Sequence, residues 1–279
     1  MVTKAVAGAY SVKTSEGTIV CSARGKVKKD VDIFVGDYVE TEANVITSVY
    51  PRKNVLIRPY VANVDELFIV IAPVPEPDFV LVEKLLLNCR HEGIKPAIVY
   101  NKSDLISEEE AKGLLAPYRR DASLFFVSAK KGLGLDALTE EISGKTVCFA
   151  GQSAVGKTSL VAALGKKELV VGEVSKRIKR GKNTTRAVEI YEFSGGYLVD
   201  TCGFSVAESI DIKPEELIYY YDDFLKVQSK CRFSNCTHIN EPGCAVKKML
   251  EEGTFDKDRY DRYVKLYTEL TERRKKLYE

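Results

Sequence analysis

The sequence predicts a multidomain chain: an N-terminal all-β barrel of the OB type, a central α/β domain with a parallel sheet, and a helical C-terminal module that holds a metal. Three observations carry this expectation. Residues 1–61 hold short apolar runs separated by turn signals, with no helical periodicity; residues 62–205 alternate continuous apolar runs with helix-period stretches; residues 206–279 set three cysteines and a histidine close together ahead of a long charged helix. A chain of 279 residues also exceeds the usual single domain of about 100–150 residues.

Composition bounds the function. A hydrophobic content of 45% belongs to a globular protein, and a net charge of +2 is too small to argue nucleic-acid binding without a local basic patch. No apolar run approaches the roughly 20 residues that span a bilayer, and the start shows no signal-peptide pattern, so a cytoplasmic protein without membrane contact is expected. Cys21, Cys89, Cys148 and Cys202 are scattered like buried thiols, whereas Cys231, Cys236 and Cys244 sit beside one of only two histidines.

In the first module, strands are expected over 5–12, 17–24 and 37–49, broken at Ser15-Glu16-Gly17, Lys28-Lys29-Asp30 and Val35-Gly36-Asp37. Small barrels of this size hold RNA or single strands. Arg24, Lys26, Lys28, Lys29, Arg52, Lys53 and Arg58 offer phosphate contacts, or else an ordinary solvated surface.

From residue 63 the pattern becomes strand, helix, strand: a doubly buried apolar run at 64–72, helical spacing at 78–89, and a strand at 96–100. Pro73, Pro75 and Pro77 keep the first connection extended. Directly after the second strand comes Asn101-Lys102-Ser103-Asp104, at the carboxyl end where open α/β sheets bind ligands. The Asp104 carboxylate can accept from N1–H and the exocyclic amine of guanine, which adenine does not offer. Asn101 suits the six-oxo and N7 edge, and the Lys102 stem can cover the base. After a helical stretch at 108–118, a strand at 124–127 runs into Ser128-Ala129-Lys130, whose Ala129 N–H would face the six-oxo group.

A strand at 146–150 then delivers Gly151-Gln152-Ser153-Ala154-Val155-Gly156-Lys157-Thr158, and Ser159 continues into a helix. This is the phosphate loop G-x-x-x-x-G-K-[ST]: backbone N–H groups and the helix N-terminus cradle phosphates, Lys157 reaches the β- and γ-phosphates, and the Thr158 hydroxyl ligates Mg²⁺. Both guanine-reading boxes precede the phosphate loop, the reverse of the order in ordinary GTPases. The G domain is therefore circularly permuted.

The basic stretch 171–186 reads as a switch loop whose Thr184 or Thr185 joins Mg²⁺ when a γ-phosphate is present. A two-strand pattern at 188–193 and 197–200 ends in Asp200-Thr201-Cys202-Gly203, with Asp200 holding Mg²⁺ through water and the Gly203 N–H contacting the γ-phosphate. Lys157, Thr158, Asp200 and Gly203 form the expected catalytic set. Phe204 follows where an ordinary GTPase places a glutamine, so slow intrinsic hydrolysis and dependence on a partner are expected.

In the last module, Cys231-x4-Cys236-x-His238-x5-Cys244 supplies three thiolates and one imidazole, a closed tetrahedral set for one structural Zn²⁺. A helix is expected over 257–278 with Tyr260, Val264, Tyr267 and Leu270 along one stripe.

On these motifs, together with Arg58-Pro59-Tyr60-Val61-Ala62-Asn63-Val64-Asp65 and Pro214-Glu215-Glu216-Leu217, the chain resembles the circularly permuted GTPases of the ribosome small-subunit-dependent GTPase A family (RsgA) over its whole length. The resemblance implies a GTPase that binds GTP and GDP, docks on the small (30S) ribosomal subunit late in its maturation, contacts ribosomal RNA and is stimulated by the subunit; a monomer is expected. Two residues depart from the family pattern: Cys202 stands where proline is usual, and Asn183 where histidine is common. The competing reading is a GTP-gated RNA-binding assembly switch with negligible turnover.

Overall fold

The computed structural model describes residues 1–25, 27, 31–57, 60–171, 188–200 and 210–276. Cys202, Gly203, Phe204, Asn183, Thr184 and Thr185 lie outside the described residues, as do Lys26, Lys28, Lys29 and Arg58. The chain divides into two compact units, Met1–Glu208 and Ser209–Glu279.

The first unit opens with five strands: β1 (Val2–Val6), β2 (Ala9–Thr14), β3 (Gly17–Ala23), β4 (Val39–Glu42) and β5 (Val45–Val49). They run in the order β1-β2-β3-β5-β4, with β3 and β5 parallel and the other pairs antiparallel. The Val2 N–H donates to the Asp37 carbonyl and the Gly36 N–H to the Val2 carbonyl, both at 2.8 Å, which curls the sheet toward closure ahead of β4. Val2, Val12, Cys21, Ala23, Ile33 and Ile46 form the core of this five-stranded, barrel-like sheet.

Two of the expected strands are hairpins. The stretch 5–12 folds at Ala7 (φ 49°) and Gly8 (φ 81°), and 37–49 folds at Ala43 (φ 46°) and Asn44 (φ 62°). Two consecutive residues with positive φ make the tight turn that matches strand twist. Gly8 and Asn44 favour such turns, whereas the alanine ahead of each does not, which weakens both signals in the sequence. The basic residues also differ from expectation: Arg52 is held by Asp37 at 2.7 Å with its guanidinium 4.4 Å above the Phe34 ring, and Lys53 is paired with Asp65. Neither is a free phosphate ligand.

The α/β domain adds β8 (Glu66–Ile71), β9 (Lys95–Tyr100), β10 (Ser123–Phe126), β11 (Thr146–Ala150), β12 (Glu189–Phe193) and β13 (Gly196–Asp200), after a short ladder of β6 (Val55–Leu56) and β7 (Val61–Ala62). The sheet order is β10-β9-β8-β11-β13-β12, with β12 alone antiparallel to its neighbour β13. Its helices are α1 (Phe79–Glu92), α2 (Glu108–Leu114), α3 (Leu135–Ile142) and α4 (Lys157–Val171). Alternation on β8 explains its continuous apolar run. Leu67, Ile69 and Ile71 pack with Leu81, Val82 and Leu85 of α1 on one face, while Phe68 and Val70 pack with Leu138 and Leu160 on the other. At the amino end of the strands, the buried Glu66 carboxylate pairs with Lys95 at 2.6 Å and Lys145 at 3.4 Å, so its charge is compensated.

The second unit holds a 3₁₀ segment (Pro214–Tyr220), α5 (Asp222–Gln228), α6 (Ala245–Glu251) and α7 (Lys257–Lys276). The buried stripe of α7 is Arg259, Tyr263, Leu266 and Leu270, one residue out of step with the expected one over most of its length. Polar contacts accompany the shift: the Tyr263 hydroxyl donates to the Thr237 carbonyl at 2.8 Å, Arg259 lies 5.5 Å over the Tyr221 ring, and Tyr260, part-buried, donates to the His238 carbonyl at 2.7 Å. Among the described residues, no helix is long and apolar enough to cross a membrane.

Candidate functional site

The carboxyl ends of three parallel strands bring the sequence motifs together. β9 ends at Asn101-Lys102-Ser103-Asp104, β10 leads to Ser128-Ala129-Lys130, and β11 leads to the loop Gly151 to Thr158. Close contacts and positive φ explain the two loop glycines, with backbone crowding Gly151 and the Asn101 side chain crowding Gly156. Gly151 has φ 135°, and a Cβ there would stand 2.2 Å from the Val70 carbonyl oxygen; at Gly156, φ 96°, it would stand 2.4 Å from the Asn101 amide nitrogen. Ala154 also takes a positive φ of 65°, without glycine's freedom.

Asn101, 2% exposed, ties two motifs to each other. Its Nδ2 donates to the Val155 carbonyl at 2.9 Å, and its Oδ1 accepts from the Ala129 N–H at 3.1 Å. The side chain expected to read the base edge thus joins the phosphate loop to the Ser-Ala-Lys turn. The Lys157 ammonium donates to the carbonyls of Gly151 and Gln152 at 2.6 and 2.8 Å, across the hollow of the loop.

A cavity of about 660 Å³ opens beside these groups, lined by Asn101, Lys102, Asp104 and Ser128 on one wall and by Ser159, Ala162 and Ala163 of α4 on the other. Small residues on the helix side leave the width of a flat base, and Leu105 adds an apolar lip that is 56% exposed. The hydroxyl of the buried Ser128 bonds the Asp104 carboxyl and lowers its pKa, with Lys131 and Lys130 adding to the effect. An ionised carboxylate at the cavity mouth is the acceptor that an N1–H and an exocyclic amine require. Ser128 Oγ also accepts from the Lys131 N–H at 3.1 Å, which fixes the turn.

One part of the site was missed in the sequence. The connection after β8 alternates Pro73, Pro75 and Pro77 with Val74, Glu76 and Asp78, and it is the backbone of the latter three that meets the motifs. Lys102 Nζ donates to the Val74 carbonyl at 2.5 Å and to the Ala154 carbonyl at 2.9 Å. The Gln152 amide donates to the Glu76 carbonyl at 2.9 Å and accepts from the Asp78 N–H at 2.7 Å. This proline strap is thereby bound to the phosphate loop through both ends of one amide. Asp78 in turn caps α1 by accepting from the Leu81 N–H at 3.0 Å. The proline alternation was the available signal.

Asp200 closes β13, which lies parallel to β11, the strand that delivers the phosphate loop. Thr184, Thr185 and Gly203 fall outside the described residues.

In the second unit Cys231, Cys236, His238 and Cys244 bring their ligand atoms within 4.8 Å of one another. His238 Nδ1 lies 3.3 Å from the Cys244 sulfur and 3.7 Å from that of Cys231, so Nδ1 is the nitrogen that faces the thiols. Burial lowers the His238 pKa to about 4 and raises that of Cys236 to about 12. The neutral imidazole suits a metal, and a buried thiol cluster of this kind is relieved by a cation that takes the place of its protons. The donor set of three sulfurs and one nitrogen fits a soft or borderline metal in a closed site. Glu241 pins the turn between the ligands, accepting from the N–H groups of Thr237, Ile239 and Asn240 and from the Thr237 hydroxyl. The Ala245 N–H, at the start of α6, donates to the Cys231 sulfur at 3.3 Å.

Comparison with known proteins agrees with this geometry. Residues 49–210 match the family model described as RsgA GTPase, and residues 1–48 match the one described as RsgA N-terminal domain. A protein of Caldanaerobacter subterraneus named small ribosomal subunit biogenesis GTPase RsgA is 40% identical, covering 99% of this chain and 97% of its own. A protein of the same name from Thermotoga maritima is 39% identical over 92% of this chain and 91% of its own. Among solved structures, YjeQ from Thermotoga maritima is similar with a TM-score of 0.79 at 35% identity, covering 97% of each chain. YloQ, described as a circularly permuted GTPase, is similar with a TM-score of 0.75 at 31% identity, covering 98% of this chain and 94% of its own.

Proposed function

The chain belongs to the RsgA GTPase family, and from that premise we propose that it hydrolyses GTP to GDP and phosphate while assisting the late maturation of the small ribosomal subunit in the cytoplasm, in contact with that subunit's RNA and stimulated by it. The observation that carries the nucleotide reading is the convergence of Asn101, Asp104, Ala129 and the phosphate loop around one cavity, with Asn101 bonded to two of the three motifs.

In this reading Asp104 selects guanine, Asn101 to Asp104 and Ser128 to Lys130 frame the base, and Gly151 to Ser159 hold the phosphates. Lys157 and Thr158 act at the β- and γ-phosphates and at Mg²⁺, with Asp200, Gly203 and Thr184 or Thr185 completing the γ-phosphate contacts. The Cys231, Cys236, His238 and Cys244 set holds one structural Zn²⁺. The protein acts as a monomer.

Multiple-turnover assays with GTP and ATP, each with and without purified small subunits, test the proposal. GTP turnover that rises on adding subunits, with ATP inert, is expected; equal use of ATP, or no response to subunits, overturns it. Within the same assay Asp104→Asn should shift preference toward xanthosine triphosphate, whose two-position oxo group replaces the amine.

A further inference from the structure

Beside the cysteine cluster, the second unit carries a groove of about 580 Å³ that shares no lining residue with the nucleotide cavity. Its floor is the buried Ile218, and its rim holds Tyr219, 67% exposed, and Phe233, 41% exposed. Tyr219 is the most exposed of the large apolar side chains described. Isolated exposed apolar residues need no explanation, but two aromatic rings on one cavity are the composition of a docking site.

The charged side chains that line the groove are both carboxylates. Glu215 and Glu241 line it, and among the described residues no lysine or arginine does; Arg232 stands at the rim, 5.6 Å over the Phe233 ring. Gln228 donates through Nε2 to the carbonyls of Ser234 and Cys236 at 2.8 and 3.3 Å, which fixes its orientation and leaves its Oε1 buried without a hydrogen-bond partner. An RNA strand would set phosphates against Glu215 in a groove whose lining holds no cation to receive them. A cationic peptide matches the groove better: positive charge for the exposed Glu215 and an apolar anchor for the aromatic rim.

We propose that this groove docks a basic, extended protein segment, which inserts an aliphatic or aromatic side chain between Tyr219 and Phe233 and sets a neighbouring lysine or arginine against Glu215. The inference rests on the small-subunit reading and assigns the segment to a protein of that subunit rather than to its RNA.

The test uses the full-length, metal-loaded protein, with Tyr219→Ala/Phe233→Ala as a double variant and Glu215→Lys as a separate one at an exposed position. Metal content and intrinsic GTP hydrolysis should match the parent, while affinity for purified small subunits falls at least about tenfold and affinity for small-subunit RNA stripped of protein is unchanged. A photo-crosslinker placed at position 219 should mark a subunit protein. Unchanged subunit affinity in both variants, an equal loss toward the stripped RNA, or a crosslink to RNA or within this chain overturns the groove assignment while leaving the parent's subunit binding intact. A parent that does not bind subunits removes the broader reading and this inference together.

Discussion

Ala154 shows how a single residue sets the tension in the phosphate loop. A non-glycine residue at φ 65° costs roughly 1–2 kcal/mol, and the Ala154 carbonyl is held there by Lys102. Ala154→Gly removes that cost but adds about 0.5–1 kcal/mol of chain entropy to the unfolded state. The expected outcome is a protein more stable by up to about 1 kcal/mol, read as a higher denaturant midpoint with an unchanged slope; a lower midpoint would show that the methyl group is packed rather than strained. The same scale shows what the sequence made legible. Asp104, Lys157, Cys231 and His238 were readable because their chemistry demands those residue types at those spacings. Asn101 was readable as a member of the site but not in its bonding, because its two partners, Val155 and Ala129, are backbone groups far away in the chain.

At the scale of elements, the proline strap couples the connection after β8 to phosphate binding. Gln152→Met keeps the side-chain volume but removes both bonds to the strap. GDP and GTP affinities should fall together by about tenfold, the signature of lost uniform binding, with turnover at saturation changed less; the Asp78 amide should exchange faster with solvent. Equal nucleotide affinity in the variant would make the strap purely structural. The metal turn gives a second prediction. Burial opposes ionisation of Glu241, but its bonds to Thr237 and Asn240 outweigh that and lower its pKa to about 2. A carboxyl depressed in the folded state stabilises the turn at pH values above its unfolded pKa near 4.5, and that contribution is lost as pH falls toward 2. Glu241→Gln should therefore lower the unfolding temperature of metal-loaded protein at neutral pH, measured by thermal unfolding beside the parent. Chelation should loosen the second unit and leave GDP affinity intact. These elements escaped the sequence for different reasons. The strap acts through main-chain groups, and the stripe of α7 includes Arg259 over the Tyr221 ring and Tyr263 bonded to the Thr237 carbonyl, which no count of apolar positions records.

Across the first unit as a whole, one sheet joins barrel and nucleotide domain, because β1 pairs with β12 at Lys4 and Glu189 and Lys13 forms an ion pair with Glu192. The hairpin of β12 and β13 is anchored at its tip, where the Ser194 carbonyl accepts from the Gly144 N–H at 3.2 Å and the Tyr197 N–H donates to the Lys145 carbonyl at 2.8 Å. Its open end carries Glu189 and Asp200, which lead along the chain to Thr185 on one side and Gly203 on the other. A γ-phosphate that draws on either residue therefore acts on the open end, next to the pairing with the barrel, and away from the fixed tip. The β1–β12 ladder gives nucleotide state an outlet toward the barrel. Amide exchange around Lys4 and Glu189 should then differ between GDP and a non-hydrolysable GTP analogue, by several-fold to about a hundredfold for a coupling of roughly 1–3 kcal/mol, while Phe193 to Gly196 stay unchanged. Identical exchange at Lys4 and Glu189 in the two states would mean that the shared sheet holds the barrel in place without sensing the nucleotide.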